Sequence, residues 1–404
     1  MGQSINRVAV ILITAAVILL PIGLIFYQSI LSGAFFLPRT QFSLEGFGFV
    51  LSDPAFWRAL RNSLLVAIGM VVIAVPLGGT IAFLTVRTDL PGRRILEPMI
   101  LAPILVSPIV LAVGYVIAAG PVGFYSGWFR SLFGFVPWNI YSPISITIIG
   151  GLTHVPYIYI YTSSALRGLS SDVDEAARVS GASAWRVAAD VSLPMIRPAL
   201  IFGAVMIFFA GIEMFGLALV LGNTTDFNML AIYLYKLTSR LGLPAYHLMA
   251  VVAIFIILLS FPLILLQRYF LRSGERFVSI KGKAMRQDVL QLGRWRAAAL
   301  SLVLLWLFVT AFVPISGIIL RAFSSHVSAS SSLFDVLTIQ HFQQVLSEPA
   351  LLRGVRNSLL IGIVGGALAV AVYTLVALSV HRRTDGWTRF VDYLIWCREW
   401  YRAC

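Results

Sequence analysis

Two groups of residues in this sequence could do chemistry, and both would act on something passing by rather than on a bond. Glu213 is a carboxylate within the apolar run GIEMFGLALVLG, residues 211–222. A carboxylate at membrane depth is costly, and it usually faces a cavity, a partner or a helix contact. Upstream, His154, Tyr157 and Tyr161 follow i, i+3, i+7 spacing, so one helix face presents an imidazole and two phenols. Oxygen and imidazole donors suit a hard or borderline cation, although aromatic packing accounts for the same spacing. These four residues are the candidates for a translocation path. Little else is reactive. The five histidines are scattered, and the two cysteines, Cys397 and Cys404, lie in the last few residues. Neither a disulfide framework nor metal-ligand spacing follows from them. The sequence has no H-E-x-x-H pair and no G-x-x-x-x-G-K-[ST] phosphate loop. We therefore expect no catalytic residue, no metal site and no cofactor bound by this chain, and a membrane-embedded enzyme is excluded.

The elements that must position these residues are membrane helices. Of 404 residues, 59% are hydrophobic and only 12% charged, and many apolar runs reach the ~18 residues that can cross a bilayer. The reading is all-α and polytopic, with eight spans near 8–30, 62–86, 96–119, 143–163, 199–221, 247–271, 298–320 and 358–380. No small-residue cleavage site follows the first apolar core, so it reads as a retained helix. The net charge of +13 is unevenly placed. With the N-terminus cytoplasmic, most lysines and arginines fall in Arg7, the 87–94 loop, the 164–198 loop, the 268–296 linker and the 381–389 loop. That is the positive-inside bias, and it argues against nucleic acid as the partner of the basic charge.

The first half of the chain begins again in the second. SLEGFGFVLSDPAFWRALRNSLL (43–65) parallels TIQHFQQVLSEPALLRGVRNSLL (338–360), and RTDLPGRRILE (87–97) parallels RRTDGWTRFVD (382–392). Pro21 and Pro314 occupy matching places. Six spans, an even number, separate equivalent points, so both copies face the same way. The expected organisation is a first copy over 1–271, a linker over 272–296, an incomplete second copy over 297–396 and an atypical tail over 397–404. Another reading frame near codon 396 permits a proline-bearing apolar continuation, so the tail is read as a frameshift, against a deliberate short end.

The stretch DEAARVSGASAWRVAADVSLP, residues 174–194, is polar where its neighbours are apolar. Ser171 and Asp174 fit a capping box, a helix should follow through Val179, and Gly181 can end it in the left-handed conformation. Ser183 can cap a second helix, 184–192, which Pro194 is expected to stop. Glu175, Ala176, Ala177, Gly181, Val191, Leu193 and Pro194 match the signature loop of bacterial ATP-binding-cassette importer permeases in order and spacing. RTDLPGRR (87–94), GIEMFGLALVLG (211–222) and RFVSIKGKA (276–284) further resemble the fused two-copy permeases for ferric iron, which are similar to those for polyamines and thiamine.

The resemblance covers residues 8–396. It implies one complete six-helix permease half plus a truncated second repeat, in the bacterial inner membrane. It also implies a coupling loop in which Glu175, Ala176, Ala177, Arg178 and Gly181, with Leu193 and Pro194, meet a cytoplasmic ATP-binding subunit present as a dimer. A periplasmic substrate-binding protein would select the substrate, and the partner would use ATP. The departure from that pattern is the missing remainder of the second copy, including its own Glu-Ala-Ala loop. Two further readings fit part of the sequence. A gradient-driven transporter or channel explains the repeat and Glu213 but not the capped polar hairpin. An inactive truncated permease product fits every feature.

Overall fold

The computed structural model describes residues 2–168, 179, 181, 184–222, 225–238, 244–271, 290–325 and 337–380. The described residues are helical, and their only β-type pairings are isolated bridges. In chain order the helices are α1 (Gly2–Ser29), α2 (Glu45–Ser52), α3 (Pro54–Arg87), α4 (Arg93–Leu101), α5 (Pro108–Ala119), α6 (Phe124–Phe133) and α7 (Pro143–Gly168). After these come α8 (Ala184–Val187), α9 (Leu193–Ile212), α10 (Gly216–Gly222), α11 (Leu230–Lys236) and α12 (Tyr246–Leu271). The last five are α13 (Arg296–Leu307), α14 (Val313–Ala322), α15 (Gln340–Ser347), α16 (Pro349–Leu360) and α17 (Gly366–Val380).

Six helical stretches are long and apolar enough to cross a membrane: Pro54–Arg87, Pro108–Phe133, Pro143–Gly168, Ala189–Ile212, Gly293–Ala322 and Pro349–Leu375. Two shorter apolar helices, Ile13–Ser29 and Tyr246–Pro262, stand in the first and sixth places. Each of these stretches overlaps one of the eight expected spans, with Pro108–Phe133 and Ala189–Ile212 displaced from the expected 96–119 and 199–221. The bundle centres on α3, which packs along α7 and α9. Lipid gives apolar helices no hydrophobic reason to associate, so close contact through small residues holds them together. A Cβ at Gly78 would lie 2.6 Å from Ile158 Cβ, and one at Gly211 would lie 2.6 Å from Ala67 Cα. At the other extreme, none of the most apolar window of Pro349–Leu375 is buried.

The internal repeat is visible in local geometry. Leu31 pairs with Phe42 in one copy and Ser324 with Leu337 in the other. A short helix then follows, ended by an extended acid: Asp53 at φ −78°, ψ 113° and Glu348 at φ −92°, ψ 108°. Each acid precedes a proline, Pro54 or Pro349, in the first turn of the next helix, where a missing N–H costs nothing. The span expected from residue 62 begins earlier, at Pro54, because Asp53 caps α3, so Asn62 and Ser63 lie inside the helix. Asp53 Oδ1 accepts from Ala55 N–H at 2.8 Å. Ser63 caps a different helix, since its Oγ accepts from Leu230 N–H at 2.8 Å at the start of α11.

Asp53 also accepts from the Tyr233 phenol through Oδ2 at 2.8 Å. Burial, and then the Asp53 carboxylate, push the Tyr233 phenol above its ordinary range. A group whose folded pKa is raised supports the fold below its unfolded value of about 10 and loses that support as pH rises further. The fold should therefore weaken in strong alkali, and Tyr233→Phe should flatten that loss. Asp53→Ala removes a cap and a charge-assisted bond, and should cost about 2 kcal/mol in thermal unfolding at neutral pH.

Two prolines of the membrane helices follow a local widening. Pro194 and Pro314 cannot donate to the carbonyls of Asp190 and Thr310, and those residues lie in π-helical segments, Ala188–Ser192 and Phe308–Phe312. The expectation that Pro194 stops a helix is thus corrected. Ala184–Val187 runs through the π segment into α9, with Pro194 in the first turn of α9.

Candidate functional site

The polar loop sits between α7 and α8. Its candidates Glu175, Ala176, Ala177 and Arg178 lie outside the described residues, as does Ser183. Gly181 is described, and its φ of +85° is the left-handed conformation that a glycine adopts without a Cβ penalty. Past the loop, Leu193 is exposed and Pro194 half-buried. From Ala184 to Ile212 the helix is continuous, about 40 Å at 1.5 Å per residue. Its far end stops beside Glu213.

Glu213 is not inside a continuous fifth span, as the sequence suggested. It caps α9, with its own N–H donating to Phe209 O at 3.1 Å, and the chain breaks before α10 begins at Gly216. Glycine at 211 and 216 and the poor helix geometry at φ −87°, ψ 5° accompany the break. The Glu213 side chain is half-buried, and its carboxylate has no hydrogen-bond or ion-pair partner among the described residues.

The third span, expected to run unbroken over 96–119, is broken as well. α4 passes into a 3-10 turn, Ala102–Leu105, and α5 restarts at Pro108 after Ser107. The two breaks touch, because a Cβ at Gly216 would lie 3.0 Å from Ile109 N. Discontinuous helices meeting within a membrane free backbone groups that only a cavity or a partner can satisfy. Pro98, Pro103 and Pro108 were the sequence signal for this break.

His154, Tyr157 and Tyr161 do share α7, but they do not converge. The His154 Nδ1 lies 2.7 Å from Gly150 O, one turn back on the same helix. Its ring stacks on Tyr157 at 5.6 Å, and Tyr157 is 39% exposed. Tyr161 instead meets Phe202 of α9 edge-on at 4.8 Å. One imidazole nitrogen bonded to backbone and two aromatic contacts describe helix packing better than a ligand set. Among the described residues no three His, Cys, Asp or Glu side chains are placed to hold a metal ion.

This is a bundle in which two broken helices meet, with a polar loop in the chain between α7 and α8. Residues 74–274 match the model of the family described as binding-protein-dependent transport system inner membrane component. The family's description places such components in the inner membrane, in agreement with the apolar helices.

The chain is similar to the ferric transport system permease protein FbpB of Actinobacillus pleuropneumoniae, 24% identical over 285 residues. That match covers 70% of this chain and 40% of FbpB, so the chain spans well under two thirds of this relative. It is also similar to the molybdenum transport system permease protein ModB of Escherichia coli K12, 29% identical over 171 residues, covering 41% of this chain and 72% of ModB. A solved bacterial ABC transporter involved in import of the acidic polysaccharide alginate has the same fold. Its TM-score is 0.55 at 18% identity, over 65% of this chain and 92% of that one.

Proposed function

We propose that this chain is the transmembrane permease subunit of an ATP-driven importer, moving ferric iron across the inner membrane with its N-terminus in the cytoplasm. The observation that carries this reading is the Glu-Ala-Ala…Gly…Leu-Pro loop between α7 and α9, inside the segment that matches the family. In it, Glu175, Ala176, Ala177, Arg178 and Gly181 meet a cytoplasmic ATP-binding subunit, and the partner dimer uses the ATP. A periplasmic binding protein delivers the substrate. The membrane itself gives no reason to build such a hairpin.

The continuous helix from Ala184 to Ile212 supports a mechanism. A push on the loop travels along a rigid rod to the break at Glu213, where α9 and α10 meet the start of α5. Opening one side of that junction while closing the other is alternating access, and it requires the partner to grip the two states differently. Glu213 is the path residue this reading favours over His154, Tyr157 and Tyr161.

Ferric iron as the substrate is supported by the similarity to FbpB and by a carboxylate at the junction of the broken helices. The relatives' names include a molybdenum transporter and sulfate transporters as well. The test is uptake of radioactive ferric iron, molybdate and sulfate by cells expressing the chain with a co-purifying ATP-binding subunit and a periplasmic binding protein. Iron uptake alone is expected, with a reduced maximal rate in Glu213→Gln at unchanged membrane levels. Uptake of an oxyanion instead overturns the iron reading, and uptake without any ATP-binding subunit overturns the importer reading.

A further inference from the structure

We propose that the segment 88–97 is a mechanical tie, joining the end of α7 where the 164–198 loop begins to the start of the second copy's leading helix. What the loop does is taken from the importer reading, whereas the tie rests on contacts within this chain. At one end, the Arg167 guanidinium donates to the Glu97 carboxylate at 2.9 Å, and Arg167 stands in the last turn of α7. At the other end, Thr88 and Leu290 form an isolated parallel bridge. Leu290 N–H donates to Arg87 O at 2.9 Å, and Asp89 N–H donates to Leu290 O at 3.1 Å.

Asp89 strengthens this junction with its side chain. Its Oδ1 accepts from Leu292 N–H at 2.9 Å, and its Oδ2 lies 3.9 Å from Arg296 Nε. Leu292 opens the 3-10 turn Gly293–Trp295, which runs directly into α13. The carboxylate therefore sits at the N-terminal end of a helical segment, where backbone N–H groups and the helix dipole favour a negative charge. Between the two ends, Leu90 and Leu96 are buried whereas residues 92–95 are exposed, so the segment is held near its two ends.

A connection between α3 and α4 needs only to reverse the chain. It has no need of a backbone bridge and a charge-assisted bond to residues some two hundred positions away. The triplet Arg87-Thr88-Asp89 also recurs as Arg383-Thr384-Asp385, at the matching place after the second copy's span. One short segment thus holds the root of the loop in the first copy and the entry helix of the second, and a displacement of either moves both. Of the two ends, the ion pair is the weaker, since Arg167 and Glu97 are both partly exposed.

The test is amide hydrogen exchange on the full chain in lipid nanodiscs, with no ATP and no partner. Asp89→Ala is expected to speed exchange at Leu290 and Leu292 about tenfold, as the loss of a hydrogen bond to a charged group implies. The informative variant is Glu97→Arg, made at the opposite end. It should speed exchange at Leu290 and Leu292 about two- to fivefold, the scale of a half-exposed ion pair. The double variant Glu97→Arg, Arg167→Glu should restore the slow exchange. If Glu97→Arg changes exchange only near residues 93–97 and leaves 290–292 as slow as before, the tie is refuted. Failure of the double variant to restore protection refutes it too. Neither outcome touches the importer reading, which stands or falls on recruitment of an ATP-binding subunit.

Discussion

Replacing Gly114 with leucine is expected to unseat the second copy's leading helix from α5. A Cβ at Gly114 would lie 2.5 Å from Pro314 O and 2.9 Å from Pro314 Cβ. On the facing helix, a Cβ at Gly317 would lie 2.8 Å from both Ala118 Cβ and Gly114 O. These obstacles are backbone and Cβ atoms, which no rotamer change can move aside. Overpacking of this kind costs about 1–3 kcal/mol, and leucine at a backbone contact belongs at the upper end.

Three bonds across this part of the bundle depend on the close approach. The Tyr115 phenol donates to Val309 O at 2.8 Å, Tyr125 and Ser316 share a hydroxyl–hydroxyl bond of 2.7 Å, and the Trp306 indole donates to Leu152 O at 3.0 Å. The separation can be read by cross-linking. With Cys397 and Cys404 replaced by serine, Tyr125→Cys and Ser316→Cys should be joined in high yield by a short bis-maleimide, which spans the gap that the phenol fills and a disulfide is too short to bridge, when Gly114 is present. The yield should collapse with Gly114→Leu and fall part-way with Gly114→Ala. Gly23→Leu is the control, because nothing lies within 4 Å of a Cβ there. An unchanged yield in Gly114→Leu would show that this seam does not hold the two copies together.

Reversing the charge at Glu175 is the second large effect expected. In the importer reading this acid lies at the start of the loop's first helix, against a cytoplasmic partner. A charge reversal that leaves the partner's cation facing a like charge should cost about 3 kcal/mol, roughly a hundredfold in Kd. Glu175→Arg should therefore abolish co-purification of the ATP-binding subunit and, with it, uptake, whereas Glu175→Gln should weaken both mildly. Gly181→Ala separates shape from charge. At φ +85° an alanine costs about 1–2 kcal/mol of backbone strain, so it should loosen the loop without altering its electrostatics. Recruitment that survives Glu175→Arg would remove the case for docking at this loop.

The positions of the membrane helices were legible in the chain itself, because span length and hydropathy are properties of composition over a window. The repeated turns were legible too, since the similar dipeptides Asp53-Pro54 and Glu348-Pro349 adopt similar extended geometry before a helix. The left-handed conformation of Gly181 was legible because a glycine's own backbone decides it. Pro194 was misread as a terminator, because whether a proline ends a helix depends on whether a preceding turn can widen. Here a π segment does so.

What only the tertiary structure decided is which residues meet. His154, Tyr157 and Tyr161 share a helix, yet Tyr161 turns to Phe202 while His154 bonds its own backbone. Ser63 caps a helix some 167 positions away, and Asp89 fixes the entry to α13. Such pairings depend on where distant segments come to lie, which no local window of sequence contains. Composition and periodicity set the helices, the copies and the polar loop. At Gly78, Gly114 and Gly211, where an added Cβ would come within 3 Å of a neighbour, close packing decides which helices meet, and the folded chain places Glu213 at a break rather than within a rod.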